Sequence, residues 1–563
     1  MSVLEYRLEL EETADATGYF SIRPVGIEGV DNLVATLEER PMDTFLRLHT
    51  LKALGALDQE KLKALASEGS AFEKELVFEL AVTFDELSSL RGEMEANGFS
   101  PAQVNSPMTA VRFIEENGFR EHPWAEMIRD NHHSLKTLPH AADVTPLPEE
   151  PAPMGPSEPL PVADMAREIA AQYPSEERMR AADTGSIAKM KLEALGIFTC
   201  GELRHQASLS PIGLMRKWKL DRTIESGPVS YHLTGEQTSY GKGLSVADAR
   251  ASLYMEIAER HSSFASIVDG KIEGTAAEQE VVKARFSELQ AKGENTLDPN
   301  ALMIDVTYRD EPLHWMQGEQ KVGGEYQPIW VPVQAVFLFM NLDEPALFTS
   351  LGSTGLASGN TPDEARLSGL YEALEREAEA TQPFDPSMCF QLYTANENLG
   401  PLLSAYRQGK VNLFFQEMTG RLGVPCCKAM VMNEEGVVEK GCAVNLDARR
   451  AAVSSMVEVP HQFPEGEATQ PPPGTPVAVH EEQLPSYATG SAKGDVALVE
   501  RVLSEEGFSP IYVDLTRKDL EIPVAKALVP GFAISADVDA FTRLSPRLIS
   551  CAWAMMKARH CGE

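Results

Sequence analysis

Several signals are missing from this chain, and each absence removes a class of function. Its seven cysteines (Cys200, Cys389, Cys426, Cys427, Cys442, Cys551 and Cys561) include no Cys-x-x-Cys pair. Neither a zinc tetrad nor a dithiol redox motif is therefore signalled. Basic residues are scarce: 50 Lys and Arg stand against 84 Asp and Glu, a net charge of −34. A nucleic-acid surface needs a basic stripe, so nucleic acid is not an expected partner. No apolar run reaches the roughly 18 residues of a membrane-spanning helix. The opening segment, Met1-Ser-Val-Leu-Glu-Tyr-Arg-Leu-Glu-Leu-Glu-Glu12, is acidic and has no apolar signal core. A soluble cytoplasmic protein without a membrane partner is expected. A Walker A loop is missing too: in Ser239-Tyr-Gly241-Lys242-Gly243 the lysine is followed by Gly, not Ser or Thr.

What the chain does have is a helix-sized motif that occurs twice. Gly243-Leu-Ser-Val-Ala-Asp-Ala-Arg-Ala-Ser252-Leu-Tyr-Met-Glu256-Ile-Ala-Glu259-Arg260 returns as Gly359-Asn-Thr-Pro-Asp-Glu-Ala-Arg-Leu-Ser368-Gly-Leu-Tyr-Glu372-Ala-Leu-Glu375-Arg376. A fainter third copy, Asp447-Ala-Arg-Arg-Ala-Ala-Val-Ser454-Ser-Met-Val-Glu458, keeps the Ala, Ser and first Glu, then breaks at Pro460. Each copy starts as a helix should. Thr361-Pro362 with Glu364 is an N-cap, a proline at the first helical position and a capping-box glutamate. Ser245 with Asp248 is a weaker version, and Asp447 would cap the third.

Two carboxylates at i and i+3 lie on one helical face, with the serine one turn earlier. A single such helix reads most simply as a solvated face with pairs such as Glu372–Arg376. Two copies in register, each behind a glycine-rich turn, favour a shared site instead. Oxygen ligands suit Mg²⁺, whose shell polyphosphate completes. Glycines let backbone approach an anion at a helix N-terminus, and Lys242 offers a point charge for phosphate. The second lead-in, Gly352-Ser353-Thr354-Gly355-Leu-Ala-Ser358, offers hydroxyls and flexible backbone, or is a plain surface loop.

These residues resemble the YcaO family, whose members activate peptide backbone amides with ATP. The first family signature, Ser-x-x-x-Glu-x-x-Glu with a following Arg, is matched by Ser252, Glu256, Glu259 and Arg260. The second is matched by Ser353 to Ala357 and by Glu372, Glu375 and Arg376. In the third, Glu458 is present, but His461 and Phe463 stand where Gln and Arg are usual. Leu192–Ile197 looks like the opening helix and turn; Tyr512–Thr516, Ile522-Pro523 and Val529-Pro530-Gly531 look like the closing strands. The resemblance spans about 185–550.

It implies an α/β (α+β) fold: an antiparallel-leaning sheet flanked by helices, with the repeats as related halves of one ATP site. Glu256, Glu259, Glu372 and Glu375 are expected to hold Mg²⁺. Lys242, Ser252, Arg260, Arg376 and Glu458 are expected around the nucleotide; the alternative for the arginines is pairing with the carboxylate one turn back. The implied activity is O-phosphorylation of a peptide or protein amide. Azoline-forming relatives end in a Pro-x-Pro-x-Pro tail and work beside a zinc-bearing partner. This chain ends Ala558-Arg-His-Cys-Gly-Glu563, which points to thioamide formation or ribosomal-protein maturation. A partner protein supplying substrate or sulfur and a homodimeric assembly are further expectations. The altered third motif supports the alternative, a catalytically degenerate nucleotide-binding scaffold.

The map has four parts: an N-terminal unit at 1–143, a Pro-rich linker at 144–162, the family-like domain at 163–550 and a tail at 551–563. Within the domain, a second Pro-rich stretch at 463–485 reads as a surface insertion or lid. In the N-terminal unit, Ser2–Leu10 is predicted as an edge strand, Gly18–Pro24 as a second strand and Leu76–Thr83 as an apolar strand. Asp43–Leu54, Gln59–Ala66 and Phe84–Asn97 are predicted helices. His122, His132, His133 and His140 cluster, but irregular spacing without cysteine partners favours surface or packing roles. Cys426-Cys427 reads as core strand, and Leu548–Arg559 as an amphipathic helix.

Overall fold

The structure is a computed structural model, and it describes residues 3–11, 19–100, 104, 123–145, 159–348, 352–533 and 546–558. Most of the 144–162 linker, His122 and the last five residues therefore lie outside the described residues.

Among the described residues, three mostly antiparallel sheets organise the chain. The first runs β2 (Tyr19–Pro24), β1 (Leu4–Glu11), β5 (Tyr231–Gly243), β4 (Ile212–Ile224), β6 (Ile267–Val268), β7 (Lys271–Ile272) and β8 (Gln279–Glu280), with β3 (Leu203–Arg204) beside β4. The second runs β11 (Glu325–Pro332), β10 (Leu313–Val322), β18 (Ile511–Asp514), β19 (Val524–Leu528) and β12 (Leu356–Ser358), with β9 (Val282–Ala284) on β10. The third runs β16 (Val438–Val444), β15 (Cys426–Met432), β14 (Phe414–Glu417), β13 (Cys389–Tyr393) and β17 (Val477–His480). The mixed α/β class is as the sequence implies.

The N-terminal segment departs from expectation in two ways. The strand expected at an edge is interior: β1 pairs antiparallel with β2 and parallel with β5. Its alternation buries Tyr6 and Leu8 against the main core, so the sheet crosses the boundary drawn at 143. The apolar stretch Leu76–Thr83 is helix, within Ala71–Thr83. A short apolar run does not tell a buried helix from a buried strand. The deciding signal is upstream, where Ser70 and Glu73 form a reciprocal capping box.

Residues 463–485 also differ from a free lid. They supply β17, which runs parallel to β13, and Thr469 hydrogen-bonds Asn412. Cys426-Cys427 lies in β15, in the core, and the C-terminal helix is Pro546–Ala558.

Candidate functional site

Three helix-on-strand crossings build the site, and each depends on a missing side chain. Helix Val246–Ser262 lies on β5 so closely that a Cβ on Gly241 would sit 2.3 Å from the Ala249 carbonyl oxygen. Helix Pro362–Thr381 brings Gly369 to the backbone of Gly355, where an added Cβ would be 2.6 Å from the carbonyl oxygen. Gly355 itself has φ +79° and faces the Ala527 carbonyl, so both conformation and space exclude other residues. Helix Ala448–Glu458 repeats the contact on β16: a Cβ on Gly441 would meet the Ser455 carbonyl at 2.3 Å.

The caps fix where each helix starts. The Ser245 hydroxyl accepts from the Asp248 amide at 3.2 Å. Thr361 does the same for Glu364, with Pro362 at the first helical position. Asp447 accepts from the Arg449 amide at 3.0 Å and also holds the Arg449 guanidinium.

The first two helices point their carboxylates at one another. Glu259 feels Glu372 and Glu256; Glu375 feels Glu372 and, from the third helix, Glu458. Burial pushes Glu256 up to about 7 and Glu259 up to about 8, helped by Glu458 in the first case and Glu372 in the second, and opposed by Arg260. Glu372 is raised by burial against the pull of Arg260 and Arg376. Glu375 stands well above the carboxylate range through burial, then Glu379 and Glu372. Carboxylates held this way favour their neutral form until a cation arrives. The backbone amides of Tyr240 and Gly355 offset part of the penalty at Glu256 and Glu372.

The cations are mostly spoken for. Arg260 sits 4.0 Å from Glu256 and 3.6 Å from Glu259. Arg376 sits 3.3 Å from Glu375 and 2.7 Å from Glu379. Both arginines thus pair with the carboxylates of their own helix. Lys242 reaches across to the third helix and meets Glu458 at 2.6 Å. Ser252 faces the same turn, accepting from the Lys242 amide at 3.4 Å. His461 and Phe463 are engaged elsewhere: the His461 Nδ1 is 2.6 Å from Glu439, and Phe463 packs edge-on against Tyr406.

Two members were not foreseen. Glu379 extends the acidic face of the second helix by one turn beyond Glu375. Lys526, on β19, is buried with its ammonium beside Glu372, Glu259 and Arg260. Its signal was a lone charge inside the apolar strand Val524-Ala-Lys526-Ala-Leu528, since unpaired lysines are almost never fully buried.

The donors are all oxygens, which fits Mg²⁺ rather than a softer metal. Among the described residues no three His, Cys, Asp or Glu side chains form a metal cage by themselves. Mg²⁺ bound here would be shared with phosphate oxygens, its usual habit. The described histidines His132, His133 and His140 form no such cage either. A separate cavity of about 1210 Å³ opens past the C-terminal end of the second helix, at Gln382 and Pro383, under Trp553 of the last helix.

The family model "YcaO cyclodehydratase, ATP- and Mg²⁺-binding" matches residues 240–473 and 460–533, together just over half of the chain. The chain belongs to the YcaO family, and ATP and Mg²⁺ are the cofactors of that family. An uncharacterized protein of Methanothermobacter thermautotrophicus is 28% identical over 390 residues, covering 61% of this chain and 91% of that protein. A protein encoded in the tfuA 3′ region of Rhizobium leguminosarum bv. trifolii is 28% identical over 221 residues, covering 34% of this chain and 52% of its own. Among solved structures, YcaO from Methanopyrus kandleri bound with AMPPCP and Mg²⁺ has a TM-score of 0.44 and 21% identity, over 64% of this chain and 92% of that one. A heterocyclase in complex with substrate and cofactor has a TM-score of 0.46 and 16% identity, over 66% and 56%. No helix among the described residues is long and apolar enough to cross a membrane.

Proposed function

We propose that this protein uses ATP and Mg²⁺ to activate a backbone amide of a peptide or protein. What supports the reading is the electrostatic coupling of Glu256 and Glu259 with Glu372 and Glu375, where burial raises all four and Glu379 and Glu458 add further negative charge, against Arg260, Arg376, Lys242 and Lys526. The four glutamates would hold Mg²⁺, which supplies charge neutralisation on the phosphate chain. Lys242, Ser252 and Glu458 would line the nucleotide at the turn before the first helix. Arg260 and Arg376 would hold the carboxylates in place and lend charge to the phosphates second-hand.

The chemistry follows from the amide. Its carbonyl is a poor electrophile, and oxide is a poor leaving group. Once a nucleophile has added, the oxyanion can take a phosphoryl group from ATP, and phosphate then departs in place of oxide. The protein's share is orientation and charge placement. We infer that sulfide, delivered with a partner protein, is the nucleophile, giving a thioamide in a peptide or a ribosomal protein. A neighbouring Cys, Ser or Thr would give an azoline instead.

The test is phosphate release from Mg·ATP with and without candidate peptides, in the presence and absence of added sulfide, followed by mass analysis of the peptide. Peptide-dependent turnover with exchange of oxygen for sulfur supports the reading; loss of water points to the azoline route. A second reading, a nucleotide-binding scaffold without turnover, draws on His461 and Phe463, both engaged away from the carboxylates. Tight ATP binding with no phosphate release under any peptide would establish that scaffold and sink the enzyme.

A further inference from the structure

We propose that Lys526 is the cation that meets the phosphates of the bound nucleotide; this deepens the ATP reading and rests on it. The argument is one of commitment. Arg260 and Arg376 each engage two carboxylates of their own helix. Lys242 is held by Glu458. Lys526 is the exception: it is 4% exposed, and its Nζ donates only to the Gly352 carbonyl, at a long 3.4 Å. Among the described residues it forms no ion pair. An ammonium carries three donors, so among the described residues at least two have no protein acceptor, in a place where water is scarce.

Such a buried charge is costly unless something completes its shell. Its position says what that is. β19 pairs with β12 at Lys526–Leu356, one residue past Gly355, so the lysine rises beside the second glycine turn. Both repeat helices lie against β19, and Glu259 of the first and Glu372 of the second are its charged neighbours. It therefore stands beside Glu259 of one carboxylate pair and Glu372 of the other, the residues that would hold Mg²⁺ and so neutralise phosphate charge. A free ammonium at that point supplies charge that the helix-bound guanidiniums cannot release without abandoning their own partners. Lysine suits this as a compact point charge.

The obvious alternative is that Lys526 only balances the acidic helices. The two roles separate by ligand. Lys526→Met keeps the volume and removes the charge; Lys526→Arg keeps a charge. By calorimetry with Mg·ATP, Mg·ADP and adenosine, Lys526→Met should weaken the two phosphorylated ligands roughly 10- to 100-fold, as loss of a charge-assisted contact does, and leave adenosine unchanged. Lys526→Arg should recover much of the loss. Equal affinities for wild type and Lys526→Met, or a loss shared equally by adenosine, overturns the proposal. Should the methionine variant not fold, wild type is treated with an acyl-phosphate derivative of ATP, whose carbonyl transfers to a lysine nitrogen at the terminal phosphate and releases ATP. Peptide mapping should then find the acyl group on Lys526, blocked by excess ATP; acylation of Lys242 alone, or of neither lysine, overturns the proposal. If wild type binds no nucleotide at all, the ATP reading fails and takes this inference with it.

Discussion

Helix Val246–Ser262 presses the Ala249 carbonyl onto Gly241, and helix Ala448–Glu458 presses the Ser455 carbonyl onto Gly441 at the same 2.3 Å to a notional Cβ. The backbones are thus packed alike, yet their charges have parted. The first helix, like the second, ends its motif with Glu-x-x-Glu-Arg, and those carboxylates are largely shielded and pushed up in pKa. The third keeps one glutamate, half exposed and bound to Lys242, and ends there, two residues before Pro460. Packing constrains every turn of a helix that lies on a sheet. Ligand chemistry constrains only the turns whose side chains reach a ligand. A repeat can therefore lose its chemistry and keep its crossing, and the comparison of the first two helices with the third measures how far that has gone.

The largest effect should come from emptying one of the paired helices. Glu256→Ala with Glu259→Ala should abolish Mg·ATP binding, with circular dichroism unchanged. Binding as tight as wild type would mean that the four glutamates are a folding device. Next in size is Glu375→Gln against Glu458→Gln. The first should cut peptide-dependent turnover by about 10²-fold or more, the scale of a lost charge-stabilising contact. The second should change it by less than about fivefold, since a half-exposed pair contributes about 1 kcal/mol or less. Equal losses would restore the third helix to full membership.

A pH series sharpens the same contrast. Glu256 and Glu259 must shed protons at about 7 and about 8 before a cation can bind them. Mg·ATP affinity should therefore rise steadily from pH 6 to 8.5, and Glu259→Gln should flatten the upper part of that rise. Glu458→Gln, which removes a charge that helps raise Glu256, should move only the lower part of the rise, to slightly lower pH.

The smallest effect concerns stability without ligand. The ordinary carboxylate value is 4.5, and Glu259 stands near 8. Between these values the folded state holds a proton that the unfolded chain has released. Stability of the ligand-free protein then falls as pH rises through that window. Glu259→Gln removes the penalty and should raise the melting temperature at pH 8 by about 1–3 °C, with little change at pH 5. A lower melting temperature at pH 8 would show that the site is not strained by its own charge.

The repeats were legible because two in-register copies of Glu-x-x-Glu-Arg behind glycine turns are hard to place on a plain surface. Their caps were legible for the same local reasons: Thr361-Pro362 and Asp447 need no tertiary context. Lys526 was not, because a strand five residues long shows a lone lysine but not the helices that lie over it. The partners of Arg260 and Arg376 were left open in the sequence for a similar reason, since guanidinium reach allows both phosphate and the neighbouring glutamate. Residues 76–83 misled because an apolar run carries no period when nearly every face is buried. The sequence left 463–485 open between a surface insertion and a lid, because prolines announce irregular backbone without saying whether it is packed; there a short strand docks on β13.

The parallel pairing of β1 with β5 sets a timetable. Leu4 aligns with Tyr231, so the strand that covers Tyr6 and Leu8 is made 227 residues after the start of β1. At roughly 5–20 residues per second of synthesis, the interval is roughly 10–45 s. Throughout it β1 has only β2 beside it, and a two-stranded ribbon is marginal in water. Closing so long a loop also makes the pairing a late event in refolding. The nascent N-terminal segment therefore carries an open apolar strand edge until the β4–β5 hairpin emerges, and a chaperone would find its first grip there.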